Sequence, residues 1–340
     1  MPPVNEFALI KQYFEQHSSI TSDDSAQNVV AGIGDDCAVL APDPDSEIVV
    51  TTDTLVAGIH FPEQANPALI AQRALRVNLS DIAAMGAMPR WFLLALTLPE
   101  LDENWLEAFS CGLREVSDGF NCPLVGGDTT QGPLSITITM LGSMPVGAAL
   151  LRSGACVGDT VYVTGSLGDA AAGLAILKAD KFSDDSFTNS PTQGPVSTSH
   201  EQYLLERFWR PSPRLLEGQL LRDYASAAID ISDGLLADLG HICEASGVGA
   251  ELAPASMPLS TQLMGTVTKK EATTLALTAG DDYELCFTVP SDKVADLESK
   301  IDAGLLSARR VGDIVPGKGV ICLDTDGLTV NFPNTGFQHF

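Results

Sequence analysis

The chain of 340 residues carries 19 Lys and Arg against 44 Asp and Glu, a formal net charge of −25 at pH 7, and 45% of its residues are hydrophobic. This length and apolar content predict a globular protein with two domains. The acidic charge disfavours nucleic acid and anionic membranes as partners, so a polyanionic ligand would need local cations.

The first residues contain acidic side chains and lack the basic stretch and apolar core of an export signal. The apolar runs are far shorter than the roughly 20 residues that cross a bilayer. Seven cysteines without a C-x-x-C pair fit a reducing compartment. We therefore predict a cytoplasmic protein without a transmembrane segment.

Strand-like and helix-like stretches alternate through the first 145 residues. The β-branched run 47–53 predicts a strand ending at Asp53, and Pro67 then opens a helix to about Met85. Residues 91–99 predict a second strand, and 102–120 a helix with Asp102 as its N-cap. Two further strands, at 122–130 and 134–142, complete a first domain that we place at residues 1–148.

The second half, residues 149–340, restarts the same alternation. It predicts strand 158–165, helix 168–177, a strand-turn-helix unit over 226–246, strand 283–290, a helix capped by Ser291, and strands 309–315 and 319–324. Residues 180–200 are rich in Ser, Thr, Pro and Gly and predict a mobile loop. The fold class is therefore two α/β domains of the α+β kind.

Aspartates stand where the chain leaves or crosses apolar segments. They are Asp36, Asp53, Asp81, Asp128, Asp230 and Asp233. Helix caps and turns explain isolated cases. Asp81, however, lies in a largely apolar helix, where an unpaired carboxylate costs several kcal/mol. With Lys and Arg scarce, Mg²⁺ is the simpler partner, with Thr51 and Thr52 as further oxygen ligands. The pattern predicts a metal site, with caps and structural turns as the alternative.

The common nucleotide-binding motifs are missing from the sequence. Gly312, Gly317 and Lys318 have Walker A spacing, but Gly319 replaces the hydroxyl residue that reaches Mg²⁺, so a β-turn is the better interpretation. No G-x-G-x-x-G follows a strand and no G-x-S-x-G is present. Among the histidines, His60 in the turn "AGIHF" is the one placed near the carboxylates.

Motifs along nearly the whole chain resemble thiamine-monophosphate kinase. They include "GIGDDCAVL", "TTDTLVAGIHF", "VNLSDIAAMGA", "GGDTTQGPLSIT", "RPSPRLLEG", "AIDISDGLLADLGHI" and "AGDDYELCFTV". The resemblance implies the fold of aminoimidazole ribonucleotide synthetase and selenophosphate synthetase. In that fold the sheet of the N-terminal domain contributes to a homodimer, and the C-terminal domain closes over ATP.

The resemblance also implies that ATP binds through several Mg²⁺ ions, and that the phosphate of thiamine monophosphate attacks ATP directly, without a catalytic side chain. The implied metal ligands are Asp36, Thr51, Thr52, Asp53, Asp81, Asp128, Asp230 and Asp233. The implied ATP contacts are Gly127, Asp128, Arg152 and Ser232. The implied thiamine monophosphate contacts are His60, Asp281 and Phe337.

Two features depart from the family pattern. "AGDDYEL" stands where a GGEDYEL-like run is usual, so Asp281 is one carbon shorter, and the loop at 180–200 has no assigned role. Two alternatives stay open at this point: a synthetase that activates another acceptor with ATP, and a non-catalytic acidic module that buffers metal ions. Selenophosphate synthetase would require a reactive Cys before the first aspartate motif, and none precedes Cys37.

Overall fold

The computed structural model describes residues 9–15, 28–33, 37–179, 199–332 and 336. The chain divides into two units, one of Met1–Ile82 with Ala87–Gly147 and one of Ala83–Gly86 with Ala148–Phe340. Residues 180–198 of the predicted loop lie outside the described residues, and its last two, Ser199 and His200, begin a helix instead. The assignment of ATP binding and dimerisation to the N-terminal domain stays a prediction.

The N-terminal half contains one four-stranded sheet and two long helices. In chain order its elements are β1 (Val29–Ala31), β2 (Val39–Leu40), β3 (Ser46–Val56), α1 (Pro67–Ala84), β4 (Met88–Leu98), α2 (Glu103–Gly119), β5 (Leu124–Gln131) and β6 (Ser135–Pro145), after a π-helical turn at Lys11–Glu15. The sheet order is β3-β6-β4-β5. Strands β4 and β5 are parallel, and the other two pairs are antiparallel.

The two faces of this sheet differ in chemistry. On β6, Ile136, Ile138 and Met140 are fully buried, while the residues between them are partly exposed. This period of two is the pattern of a strand with one covered face. A Cβ at Gly142 of β6 would lie 3.1 Å from Ile82 of α1, so that helix lies against the buried face.

The opposite face of the sheet is lined by threonines. Thr52 and Thr54 of β3 pair through their hydroxyl groups with Thr139 and Thr137 of β6, at 3.0 Å and 2.8 Å. Such cross-strand pairs stabilise the ladder and fix its register. This threonine face therefore remains polar although it belongs to a β-branched sheet.

Predicted helix starts are confirmed in the N-terminal half. Helix α1 begins at Pro67 as predicted, and the side chain of Asp102 caps α2 by accepting from Asn104 N at 2.9 Å and Trp105 N at 3.2 Å. The predicted cap at Ser291 is wrong. A turn closed by Lys293 N and Pro290 O precedes that helix, which begins at Val294 with Lys293 at the N-cap.

The C-terminal unit is a seven-stranded sheet with helices. Its elements are β7 (Thr160–Thr164), α3 (Asp169–Lys178), α4 (Ser199–Trp209), α5 (Leu215–Leu221), β8 (Ala227–Asp230), α6 (Leu235–Ser246), β9 (Gly249–Leu252), α7 (Thr261–Thr266), α8 (Lys269–Thr278), β10 (Leu285–Val289), α9 (Val294–Asp302), β11 (Ala308–Val315), β12 (Gly319–Leu323) and β13 (Thr329–Val330). The order is β13-β12-β9-β11-β7-β10-β8, antiparallel except for β9 with β12.

The core of this unit lies on the central strands. Every residue of β7 and β10 is buried, and Leu239 and Ile242 of α6 belong to the same apolar cluster. Strand β8 is an edge strand, and the loop that follows it lies beside the segment that leads into β10. No helix among the described residues is long and apolar enough to cross a membrane. The predicted α+β class with two domains is confirmed.

Candidate functional site

Two predicted metal ligands meet in the N-terminal unit. Asp53 on β3 and Asp81 on α1 are in side-chain hydrogen-bond contact, and the Thr51 hydroxyl donates to Asp81 Oδ2 at 2.5 Å. Pairing of β3 with β6 places Asp53 opposite the buried Ile138, on the helix-covered face. The strand and the helix therefore bring together three oxygen-bearing side chains, of which Thr51 and Asp81 are 30 residues apart in sequence.

This carboxylate pair carries a cost when no cation is bound. Burial raises the pKa of Asp53 to about 7, and the neighbouring Asp81 contributes through charge repulsion and a hydrogen bond. Two adjacent carboxylates out of water favour a shared proton or a bound cation. The pair with Thr51 therefore forms an oxygen-only donor set that suits a hard divalent ion.

The predicted ligands Thr52 and Asp128 lie on the threonine face instead. Thr52 contacts Thr139 on that face, and Asp128 on β5 is exposed and pairs with Ala95 of β4. Strands β3 and β5 are separated by two others, so at about 4.8 Å per strand Asp53 and Asp128 are roughly 14 Å apart across the sheet. Within the described residues no group of three or more His, Cys, Asp or Glu is placed to hold a metal.

Gly127, predicted to approach ATP, has a packing role in the sheet. A Cβ at this position would lie 1.9 Å from the carbonyl oxygen of Leu94 on the neighbouring strand. Backbone cannot move aside as a flexible side chain can. The glycine is therefore required by the pairing of β5 with β4, whatever ligand contacts it also makes.

His60 is fixed by its own turn. Its Nδ1 accepts the backbone N–H of Val56 at 2.9 Å, and its backbone N–H donates to Val56 O at 3.0 Å. A neutral imidazole that accepts at Nδ1 carries its proton on Nε2. The turn thus presents His60 as a hydrogen-bond donor through Nε2.

In the C-terminal unit the structure brings four predicted residues onto two adjacent segments. Asp230 ends β8, and Ser232 and Asp233 follow it. The backbone N–H of Asp281 donates to Ser232 O at 2.9 Å, which joins the two segments. Asp230 is 5% exposed, whereas the other three are partly accessible.

Asp238 in the first turn of α6 shapes this loop. Its Oδ2 accepts from Asp233 N at 3.1 Å and Gly234 N at 3.0 Å. Burial raises the pKa of Asp238 to about 7, while these backbone donors lower it in part. Because an aspartate near the start of a helix satisfies free N–H groups, Asp238 fixes the backbone of the loop at Asp233 and Gly234.

Arg152, the predicted ATP contact, lies on an exposed loop beside β8. The preceding residue, Leu151, accepts the N–H of Ala228 at 2.9 Å, and Ser246 Oγ donates to the carbonyl of Arg152 at 3.3 Å. The guanidinium group is thereby carried on a loop tied to β8 and α6. Asp36 and Phe337, the remaining predicted residues, lie outside the described part of the chain.

Comparison with known proteins gives the family. Residues 34–144 match the AIR synthase related protein N-terminal domain, and residues 157–324 match the AIR synthase related protein C-terminal domain. Thiamine-monophosphate kinase of Salmonella typhimurium is 46% identical over 338 residues, 98% of each chain. The chain belongs to the thiamine-monophosphate kinase family.

Two solved structures of this kinase family are similar in fold. Thiamine-monophosphate kinase from Stenotrophomonas maltophilia has a TM-score of 0.82 at 41% identity, covering 96% of this chain and 98% of its own. AaThiL complexed with AMPPCP and TMP has a TM-score of 0.76 at 30% identity, covering 100% and 98%. Full-length coverage means that both units belong to the shared fold.

Sequence reasoning missed a buried charge cluster in this member of the kinase family. Glu284 accepts two hydrogen bonds from Arg214, at 2.6 Å each, and one from Arg207 at 2.8 Å. Asp282 accepts from Gly168 N at 2.7 Å, and burial raises its pKa to about 8. The sequence did contain two signals. In "DDYE", Asp282 and Glu284 are two residues apart, and in an extended segment this spacing places both side chains on one face. The motif "RPSPR" supplies Arg214 as a cation for such a pair.

Proposed function

We propose that this protein transfers the γ-phosphoryl group of ATP to thiamine monophosphate, giving thiamine diphosphate and ADP. The observation that carries the proposal is full-length similarity to thiamine-monophosphate kinases, one of which is solved with AMPPCP and TMP. AMPPCP resembles ATP but holds a carbon between its last two phosphates. In that complex AMPPCP stands for ATP, and TMP carries the acceptor phosphate, so counterparts of both substrates of the proposed reaction are bound together.

The donor set in the N-terminal unit fits Mg²⁺. This ion binds proteins through one or two carboxylates and completes its shell with water and substrate phosphate, and Asp53, Asp81 and Thr51 supply that kind of set. When bound, Mg²⁺ neutralises negative charge on the phosphates. The exposed Asp128, the edge residue Asp230 and the loop residue Asp233 are proposed as further ligands, with Asp36 and Thr52.

The remaining proposed contacts position the two substrates. Arg152, Ser232 and the backbone of Gly127 would hold ATP, and His60, Asp281 and Phe337 would hold thiamine monophosphate. His60 serves this role as a donor, because its Nδ1 is already occupied by the Val56 N–H. Asp281 is directed by its backbone bond to Ser232.

Direct transfer needs no general base. The attacking atom is a phosphate oxygen that is already anionic near neutral pH, so positioning and charge neutralisation supply the catalysis. A phospho-enzyme would require an activated nucleophile beside a base. The Thr51 hydroxyl donates to a carboxylate that is itself proposed to bind metal, so we assign it to ligation rather than to attack.

The test separates both parts of the proposal. Enzyme is incubated with ATP labelled at the γ-phosphate, and label on protein is measured before thiamine monophosphate or thiamine is added. We expect unlabelled protein, rapid labelling of thiamine monophosphate, and little transfer to thiamine. Chemically competent label on the protein would refute direct transfer, and equal turnover of thiamine would refute the acceptor assignment.

The threonine face of the N-terminal sheet supports a homodimer as a further part of the proposal. Val50 of β3, two residues from Thr52, is 63% exposed, and Met88 of β4, opposite Ser143 of β6, is 49% exposed. Exposed apolar residues on a sheet face are typical of an interface. Light scattering of the wild type and of Val50→Glu would test it, since a charge there should shift the mass toward the monomer.

A further inference from the structure

The segment 279–284, between α8 and β10, has an unusual backbone. Asp281 has φ of 73° and Tyr283 has φ of 50°. The other two non-glycine residues with positive φ in the described part of the chain are asparagines, Asn28 and Asn121. Asn and Asp tolerate this left-handed region, but for a bulky residue such as Tyr it is an outlier. Neighbouring contacts must therefore hold the segment in this conformation.

Backbone hydrogen bonds hold one side of the segment. Asp281 N donates to Ser232 O and Tyr283 N donates to Ile231 O, both at 2.9 Å. Gly280 lies so close that a Cβ would be 2.0 Å from Ser232 O. The odd-numbered residues are thus tied to the loop that follows β8.

The side chains of the even-numbered residues hold the other side. Glu284 is fully buried, and Arg214 Nε and Nη2 donate to its two oxygens in a paired arrangement. Arg207 adds a bond to Oε1 at 2.8 Å and Thr164 one to Oε2 at 2.6 Å. Charge-assisted paired bonds of this kind fix geometry as well as charge. Glu284 therefore cannot rotate without breaking several bonds.

A purely stabilising role explains this arrangement poorly. Burying an ion cluster often gains no more stability than an apolar replacement would, because desolvation offsets the attraction. The chain nevertheless commits two of its 19 basic residues to one carboxylate. That carboxylate adjoins Tyr283 and lies three residues from Asp281.

We propose that Glu284, held by Arg214 and Arg207, is a positioning residue that keeps Asp281 and Tyr283 in the left-handed conformation and so directs Asp281 toward thiamine monophosphate. This inference rests on the proposed function, in which Asp281 contacts that substrate. The side chain of Asp281 is one carbon shorter than Glu, so its reach depends closely on the backbone that carries it.

The main test compares Glu284→Gln with the wild type. Gln keeps the shape but loses the charge-assisted bonds to the arginines. We expect the KM for thiamine monophosphate to rise on the order of ten- to hundredfold, with the KM for ATP within about twofold, because misplacement of a substrate contact weakens that substrate alone. Arg214→Lys, which keeps the charge and removes the paired bonds, should give a smaller rise of the same kind.

Tyr162→Phe is the matched control for lost stability. It removes the hydrogen bond from Tyr162 on β7 to Glu298 on α9, and both residues lie outside the segment 279–284. It should lower the melting temperature without a change in either KM. If Glu284→Gln or Arg214→Lys also changed only the melting temperature, the positioning role would be overturned.

A rescue experiment addresses the backbone directly. Glycine adopts φ of 50° without strain, but Tyr283→Gly also removes the tyrosine hydroxyl, which donates to Asp281 Oδ1 at 3.4 Å. The comparison is therefore between two backgrounds: Glu284→Gln should raise the KM for thiamine monophosphate less in the Tyr283→Gly enzyme than in the wild type. An equal rise in both backgrounds would contradict the inference.

Amide hydrogen exchange over residues 279–284 gives a readout independent of activity. The Glu284→Gln enzyme should exchange these amides on the order of tenfold faster than Tyr162→Phe does, since local opening frees the bonds to Ile231 and Ser232. Unchanged exchange would contradict the inference. A wild type that bound ATP yet transferred nothing to thiamine monophosphate would instead refute the proposed function, and the exchange rates would then decide whether Glu284 holds the segment.

Discussion

Replacing Asp53 with Asn should have opposite effects on stability and on activity. In the metal-free protein, burial and the neighbouring Asp81 raise the pKa of Asp53 from 3.8 to about 7. Above that pH the folded protein carries two adjacent, partly buried carboxylates. Asn removes one charge, and its amide N–H can donate to Asp81.

The size of the stability gain follows from the pKa. A rise of about 3 units at about 1.4 kcal/mol each gives an upper limit of about 4 kcal/mol for the cost of ionised Asp53. Burial is the larger cause, and a buried amide also loses hydration, so we expect about 1–2 kcal/mol. For a domain of this size that gain raises the melting temperature by about 3–6 °C.

The assay is thermal unfolding at about pH 8, first with chelator and then with a series of Mg²⁺ concentrations. Without metal, Asp53→Asn should have a higher melting temperature than the wild type. Mg²⁺ should raise the melting temperature of the wild type substantially and that of the variant little. Phosphoryl transfer by the variant should be lost. Asp45→Asn, an exposed aspartate in the turn before β3, is the matched control and should change neither property. A metal-free Asp53→Asn protein that melts below the wild type, or an equal response to Mg²⁺, would refute the reasoning.

Two further predictions concern packing and pH. Gly127→Ala should destabilise the protein by about 3 kcal/mol or more, because its Cβ would lie 1.9 Å from the Leu94 carbonyl oxygen. Gly126→Ala should cost much less, because its Cβ would meet only the flexible Leu93 side chain, at 3.1 Å. Chemical denaturation of both variants measures the two costs. Equal costs would disprove the packing argument. Burial raises the pKa of Asp282 to about 8, whereas an unfolded aspartate has a pKa near 3.9. Between these two pH values the folded state binds more protons than the unfolded state. The free energy of unfolding therefore falls as the pH rises, by up to about 1.4 kcal/mol per pH unit. Asp282→Asn should flatten the dependence of the free energy of unfolding on pH and should lower stability at about pH 5. The measurement is chemical denaturation of both proteins from about pH 5 to about pH 8. An unchanged pH dependence would show that Asp282 does not titrate in this range.

Local signals in the sequence were sufficient for most elements of the fold. Pro67 and Asp102 marked helix starts because proline and a side-chain acceptor suit the first turn, and the alternation around Ile138 marked a half-buried strand. The prediction of a helix cap at Ser291 was wrong because serine also favours turns. The turn before α9 uses backbone groups of Pro290 and Lys293 in its place.

The site was less accessible to sequence reasoning, because its contacts are distant along the chain. Asp53 with Asp81 was anticipated from an aspartate in an apolar helix. Glu284 was missed, since its partners Arg214 and Thr164 are 70 and 120 residues away and nothing local selects them. The prediction that a strand ends at Asp53 was wrong, because β3 continues to Val56, and Asp128 likewise lies within β5. The strand order places these two aspartates on the two edge strands of one sheet, and that order is a tertiary property that no local pattern shows.

The strand order of the C-terminal sheet has a consequence for synthesis of the chain. Among the described strands, β7, β8 and β9 do not pair with one another, and each pairs only with strands from β10 onward. A ribosome must therefore release nearly the whole chain before any ladder of this sheet can close, and contacts of such long sequence separation form slowly. Until then three apolar strands have exposed edges that can pair with other nascent chains. A polypeptide truncated before Leu285 should accordingly need a chaperone to stay in solution, while the four-stranded sheet, complete by Pro145, can form early in translation.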